Sequence, residues 1–204
     1  AKDNEPLSPD SPAFLALSGR VSAALQRHPL FVSGVLPRHV LPPMFNRYQG
    51  GGQYGNHIDN TIQTDRFSGQ KVRTDVSTTV FLSSPDEYEG GELIAEDSFG
   101  THEIKLEAGD AIVYPSTSLH RVEPVTAGCR WASFMDCRMH RALSGASESV
   151  RKPAMPHIKG STTPWTKAQA MPASTALPPS RSTWCAIGSS VLSVMRKSPM
   201  MIVQ

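Results

Sequence analysis

Two short stretches, Gly55-Asn56-His57-Ile58-Asp59 and Ser118-Leu119-His120-Arg121-Val122, carry side chains that a single cation could share. A His-x-Asp pair and a distant His supply two imidazoles and one carboxylate. Such a set covers one face of an octahedron and leaves three positions open, the arrangement of non-haem Fe(II) oxygen chemistry. Open positions let one metal ion hold a co-substrate and O₂ together. Taken alone, His-x-Asp is common. The plain alternative is a turn-capping His57, a surface acid at Asp59 and a satisfied interior His120.

Two further residues shift that balance. Arg130 lies ten residues past His120, on a stretch read as a strand, where its guanidinium can grip a carboxylate through two parallel hydrogen bonds. Tyr48, nine residues before His57, carries a hydroxyl that can reach the same acid. A metal with vacant positions beside a carboxylate clamp suits a 2-oxo acid, chelated at one end and anchored at the other.

The elements that must position these groups read as short strands. Residues two apart on a strand point to one side, so His57 and Asp59 can face one point. His120 then has to arrive on a strand adjacent in space. Val76 to Leu82 alternates with strong β-formers. Further strands are expected at Glu92–Ala95, His102–Leu106, Ala111–Tyr114, His120–Val122 and Arg130–Phe134, separated by turns such as Glu89-Gly90-Gly91 and Ala108-Gly109-Asp110. The fold expected is mainly β with flanking α: a double-stranded β-helix, or jelly roll, closing its sheet edges, plus an N-terminal helix. That helix is signalled by Ser11 as N-cap, Pro12 at its first position, and Phe14, Leu17, Val21, Ala24 and Leu25 at helical spacing. His28-Pro29 is expected to stop it.

Three regions follow: a helical flank at 1–43, a jelly-roll domain at 44–134, and a tail at 135–204. The tail holds seven of the 17 prolines and seven of the eight methionines, and after Asp136 its only acid is Glu148. That bias argues against a packed core, so it is expected to be irregular. The chain has 204 residues, enough for one domain with a proper core. No apolar run approaches the roughly 20 residues of a membrane span, and mean hydropathy is −0.28. A net charge of +2 gives no case for nucleic acid or a lipid surface. Cys129, Cys137 and Cys185 form no CxxC and suggest neither a disulfide framework nor zinc, so a reduced, cytoplasmic setting is the default.

With the motifs set out, the stretch from Phe45 to Asn60 resembles the ligand strand of the prolyl 4-hydroxylase class of Fe(II)/2-oxoglutarate dioxygenases. Gly109-Asp110-Ala111-Ile112-Val113-Tyr114-Pro115 and the run from His120 to Arg130 are similar to the bacterial PKHD-type hydroxylases, a family associated with iron uptake. Arg73-Thr74-Asp75, Phe81-Leu82-Ser83 and Gly90-Gly91-Glu92-Leu93 fit the same family. The resemblance covers roughly Pro6 to Phe134. It implies iron held by His57, Asp59 and His120, with 2-oxoglutarate held by Arg130 and L-ascorbate keeping the iron reduced. The implied reaction couples oxidative decarboxylation of 2-oxoglutarate to hydroxylation of a C–H bond. Its substrate, a prolyl or lysyl side chain or a small siderophore-like molecule, is left open, as is the choice between a monomer and a homo-oligomer.

Two departures stand out. Relatives carry further residues ahead of Ala1, so the chain reads as clipped there. Relatives also continue past the last strand with Trp-Ile, where this chain has Phe134-Met135-Asp136-Cys137. Reading the Met codon one base later gives the Trp codon, and a GAT codon for Asp136 then leads to Ile. The tail is therefore read as the product of a reading-frame shift, its rival being a natural low-complexity tail. Two other functional readings stand beside the hydroxylase: a cupin-like metal-binding module without oxygenase activity, and an inactive truncated remnant. His28, His39 and His102 are expected to be surface or turn residues. Gly50-Gly51-Gly52 lacks the Lys-Ser or Lys-Thr and the helix of a P-loop, and reads as a turn beside the site. Tyr54 leans towards the pocket, and Trp131 is assigned to neither core nor solvent.

Overall fold

The computed structural model describes residues 2–97, 100–140 and 200–202. Helix α1 (Pro12–Gln26) opens where expected: the Ser11 hydroxyl accepts from the Phe14 N–H at 3.1 Å, and Pro12 occupies a position whose missing N–H costs nothing. Its Phe14, Leu17, Val21 and Leu25 are buried. His28-Pro29 ends this helix but also starts another, α2 (Pro29–Val35), which closes on Leu36 in the left-handed region at φ 47°. The single helix expected of the flank is thus two, because proline at the first position of a helix both blocks the preceding turn and initiates the next.

Two sheets, antiparallel except at one edge strand of the larger, face one another. The larger has the order β16 (Met200–Ile202), β12 (Ala111–Pro115), β8 (Val76–Phe81), β15 (Arg130–Met139), β4 (Met44–Tyr48) and β2 (Glu5–Pro6), with β3 (Pro37–Val40) also pairing with β15. The smaller runs β1 (Lys2–Asp3), β5 (Gln53–His57), β13 (Leu119–Val122), β10 (Leu93–Asp97) and β11 (Gly100–Ile104). Two ribbons complete the described strands: β6 (Ile62–Thr64) with β7 (Lys71–Arg73), and β9 (Tyr88–Gly90) with β14 (Val125–Gly128). This is a double-stranded β-helix in a mainly β chain, as expected.

The larger sheet is buried on both faces. Its outer face packs Phe45, Val80, Leu82, Val113 and Trp131 against Phe14, Leu17, Val21 and Phe31 of the helices. Between the sheets lie Tyr48, Phe81, Leu93, Ile112, Tyr114 and Val122. Each large apolar side chain so buried contributes roughly 1.5–3 kcal/mol. Period-2 alternation along β8 divides the two cores: Val80 faces the helices and Phe81 the interior. Trp131 joins the outer core, with the Arg47 guanidinium 5.4 Å from its ring.

β15 runs past the expected end of the domain at 134. Met135, Asp136 and Cys137 are buried, and Cys137 pairs with both Val40 and Val76. Two neighbouring strands leave no reason for the ladder to stop at Phe134. A piece of the supposedly irregular tail, β16, pairs in parallel with β12. The remaining tail, 141–199 and 203–204, lies outside the described residues. Cys129 and Cys137 are free, and burial pushes their thiols up to about 11 and about 12. Among the described residues no helix is long and apolar enough to cross a membrane.

Candidate metal centre

β5 and β13 are neighbours, and their register sets His57 directly opposite His120. The two rings lie 4.0 Å apart between centroids. β5 ends at His57, so Asp59 is not on the strand as the His-x-Asp spacing suggested. It follows in an irregular turn, fixed by its own N–H donating to the Ser116 carbonyl at 3.1 Å. One ligand atom from each of His57, Asp59 and His120 lies within 4.8 Å of the others. His57 Nε2 is 3.9 Å from Asp59 Oδ1, and His120 Nε2 is 3.6 Å from Asp59 Oδ2.

The opposite ring nitrogens are tied down. His57 Nδ1 sits 2.8 Å from the Gly55 carbonyl and His120 Nδ1 3.0 Å from that of Ser118. A carbonyl only accepts, so each Nδ1 carries the proton and each Nε2 offers a lone pair to the centre. Burial lowers the His57 pKa, and the neighbouring His120 and Lys2 act the same way against the pull of Gly55 and Asp59. The neutral, ligating imidazole is therefore favoured. Tyr54 stacks on His57 at 3.6 Å, on the cavity wall where the sequence leaned.

These groups line a cavity of about 260 Å³ that also contains Tyr48 and Arg130. Arg130 on β15 pairs across the ladder with Tyr48 on β4. Its guanidinium carbon lies 5.2 Å from the Tyr48 ring centre and 5.3 Å from that of Phe81. The side chain is 1% exposed, and its Nε and Nη2 have no hydrogen-bond partner. A buried guanidinium with idle donors is costly unless an acceptor meets it. The cavity is the direction from which a carboxylate can come.

Two residues missed from the sequence shape the centre. The Ser77 hydroxyl lies 2.5 Å from Asp59 Oδ2, 2.8 Å from Asp136 Oδ1 and 3.0 Å from the Ser116 hydroxyl. One hydroxyl proton serves only one carboxylate. Burial and then the charge of Asp59 push Asp136 up to about 6, against the hydrogen bonds from Ser77 and Gln63. When protonated, Asp136 donates to Ser77, which donates in turn to Asp59. Ser77 reads as one more polar position on a strand, and Asp136 was set aside with the tail; no spacing rule connects them.

Of the histidines expected at surface or turn positions, His28 sits at a turn, whereas His39 and His102 are half-buried on strands. His39 Nε2 meets Asp65 Oδ2 at 2.8 Å, and His28 precedes α2 as its N-cap without a side-chain capping bond. His102 lies on β11. The Gly50-Gly51-Gly52 turn is held by Gly51 N–H to Val125 O at 2.8 Å and Val125 N–H to Gly52 O at 3.0 Å.

Residues 43–135 match the family model of the 2OG-Fe(II) oxygenase superfamily. A PKHD-type hydroxylase of Hyphomonas neptunium is 60% identical over 134 residues, covering 66% of this chain and 59% of that protein. A PKHD-type hydroxylase of Delftia acidovorans is 62% identical over 133 residues, covering 65% of this chain and 59% of that protein. The chain thus spans about three fifths of the length of these relatives. Among solved structures, a Pseudomonas putida prolyl-4-hydroxylase is 20% identical with a TM-score of 0.47, over 68% of this chain and 72% of that one.

Proposed function

We propose that the chain, whose residues 43–135 match the family model of the 2OG-Fe(II) oxygenase superfamily, is an Fe(II)- and 2-oxoglutarate-dependent hydroxylase. The observation that carries this reading is the shared cavity: three converging ligand atoms at one place and a buried guanidinium with idle donors at another. His57 and His120 would hold the iron through Nε2 and Asp59 through its carboxylate. When bound, the iron supplies oxidative decarboxylation of the 2-oxo acid with O₂ and the oxidising power for C–H hydroxylation.

The chain's own contribution is position and dryness. The Gly55 and Ser118 carbonyls fix the imidazole tautomers, and Ser77 steadies Asp59. Arg130 receives the distal carboxylate of 2-oxoglutarate, and the Tyr48 hydroxyl assists. Tyr48 and Phe81 shield the guanidinium from water and strengthen its grip. A plain cupin-like metal binder has no use for that clamp. L-Ascorbate as reductant, a cytoplasmic setting and a link to iron uptake complete the proposal. The hydroxylated substrate is a peptidyl prolyl or lysyl side chain or a small molecule.

Anaerobic addition of Fe(II) and then 2-oxoglutarate tests the reading. A weak visible charge-transfer band is expected to form, and a folded sample that never develops one refutes it. His57→Ala or Asp59→Ala should abolish both the band and succinate production. Arg130→Met should keep metal affinity while weakening 2-oxoglutarate binding by roughly 30-fold or more, the loss of a buried charge-assisted pair.

A further inference from the structure

Arg130 can serve as a carboxylate clamp only if its stem is held, and its nitrogens Nε and Nη2 make no hydrogen bond that would hold it. The stem instead rests on the turn between β9 and β10. Gly91 there has φ +68°, a conformation that side-chain-bearing residues seldom adopt. A Cβ at this position would stand 2.7 Å from Val125 Cγ2, 3.1 Å from Arg130 Cδ and 3.1 Å from Tyr88 Cε2. The Arg130 stem, the Tyr88 ring and the Gly91 backbone therefore meet with no room for a methyl group.

The Tyr88 ring is itself locked. Lys105 Nζ lies 4.2 Å from its centre and donates to the carbonyls of Tyr88 at 3.0 Å and Gly90 at 3.1 Å. The buried Tyr88 hydroxyl lies beside the Arg130 guanidinium: burial raises its pKa, and the charge and hydrogen bonding of Arg130 oppose that rise. The seat has a floor at Gly91, a wall at Tyr88 and a brace at Lys105.

We infer that Gly91 and Tyr88 are positioning residues for Arg130, and that their contact sets selectivity for a 2-oxo acid bearing a second carboxylate. This rests on the hydroxylase reading but assigns a task to residues outside the metal ligands and the clamp. A displaced stem would move the guanidinium off the distal carboxylate and leave the chelating end of the co-substrate untouched.

The test is calorimetric titration of the Mn(II)-loaded protein with 2-oxoglutarate and with 2-oxovalerate, which ends in a methyl group instead of the second carboxylate. Wild-type protein should prefer 2-oxoglutarate. Gly91→Ala should weaken 2-oxoglutarate about tenfold or more while 2-oxovalerate changes by no more than about twofold, the pattern of one lost charge-assisted pair. Tyr88→Leu removes the wall without straining the turn and should give the same selective loss, whereas Tyr88→Phe keeps the ring and should restore near wild-type selectivity. Mn(II) affinity reports an intact fold in each variant. Full selectivity in folded Gly91→Ala and Tyr88→Leu overturns the inference alone. Wild-type protein that binds 2-oxoglutarate no better than 2-oxovalerate overturns it together with the clamp.

Discussion

Asp136 illustrates what one side chain can do to the centre. Its folded pKa of about 6 lies above the ordinary 3.8, with burial the larger cause and Asp59 the second. The folded state therefore holds this proton more tightly than the unfolded chain does. The associated stability is complete below the unfolded value and is lost as pH rises through about 6. Asn at this position imitates the protonated acid, donating to Ser77 while accepting from Gln63. Metal-free Asp136→Asn should accordingly be more stable than wild type at pH 8 by of order 1–3 kcal/mol, with the gap narrowing to roughly half of that at pH 5. Urea denaturation at the two pH values measures this, and parallel pH dependence in the two proteins would count against the protonated relay. The contrast with the triad is instructive. The convergence of His57, Asp59 and His120 was legible because two imidazoles and a carboxylate, two of them in a His-x-Asp, form a recognisable ligand set. Ser77 and Asp136 were not, because a hydroxyl on β8 and an acid on β15 meet only through the pairing of those strands, Asp136 opposite Ser77.

Among the elements, those whose sequence matched the final environment could be read directly. β8 and β12 are runs of β-branched and aromatic residues buried on both faces, and α1 begins with an N-cap, a proline and helical periodicity. β5 (Gln53–His57) is different: it holds Gly55 and Asn56, poor strand formers, and exists because β1 and β13 pair on either side of it. The continuation of β15 through Cys137 was hidden for a related reason, since its partners β3 and β8 and not its own composition keep it extended. The capping of α1 allows a local test. Ser11→Ala removes the acceptor for the Phe14 N–H and should cost about 1 kcal/mol, read as a lowered urea midpoint with unchanged slope. Because α1 covers the outer face of the larger sheet, the same variant should leave metal affinity unaltered; a change in both would mean that helix and cavity are coupled.

At the scale of the whole molecule, a cation held by the proposed triad would also fasten distant parts of the chain. His57 and Asp59 follow the N-terminal flank, whereas His120 lies on a strand that pairs with both β5 and β10. A cation shared by all three binds only when those strands are in register, so metal binding and folding draw on the same free energy. Few features of the sequence announce this coupling, because the ligand residues are 63 positions apart, from His57 to His120, and only the jelly-roll closure makes them neighbours. Mass action sets the size of the effect: at a hundred times the dissociation constant a ligand that binds only the folded state adds about 2.7 kcal/mol. For a chain of this length that corresponds to a rise in melting temperature of roughly 5–10 °C. Scanning calorimetry with and without Mn(II) should show such a rise for wild type, its reversal by a chelator, and its absence in His120→Ala. The variant loses one ligand but keeps both hydrophobic cores, so its metal-free melting should stay within a few degrees of wild type. An equal rise in His120→Ala would mean that the ion binds elsewhere and that the three residues do not act as one site.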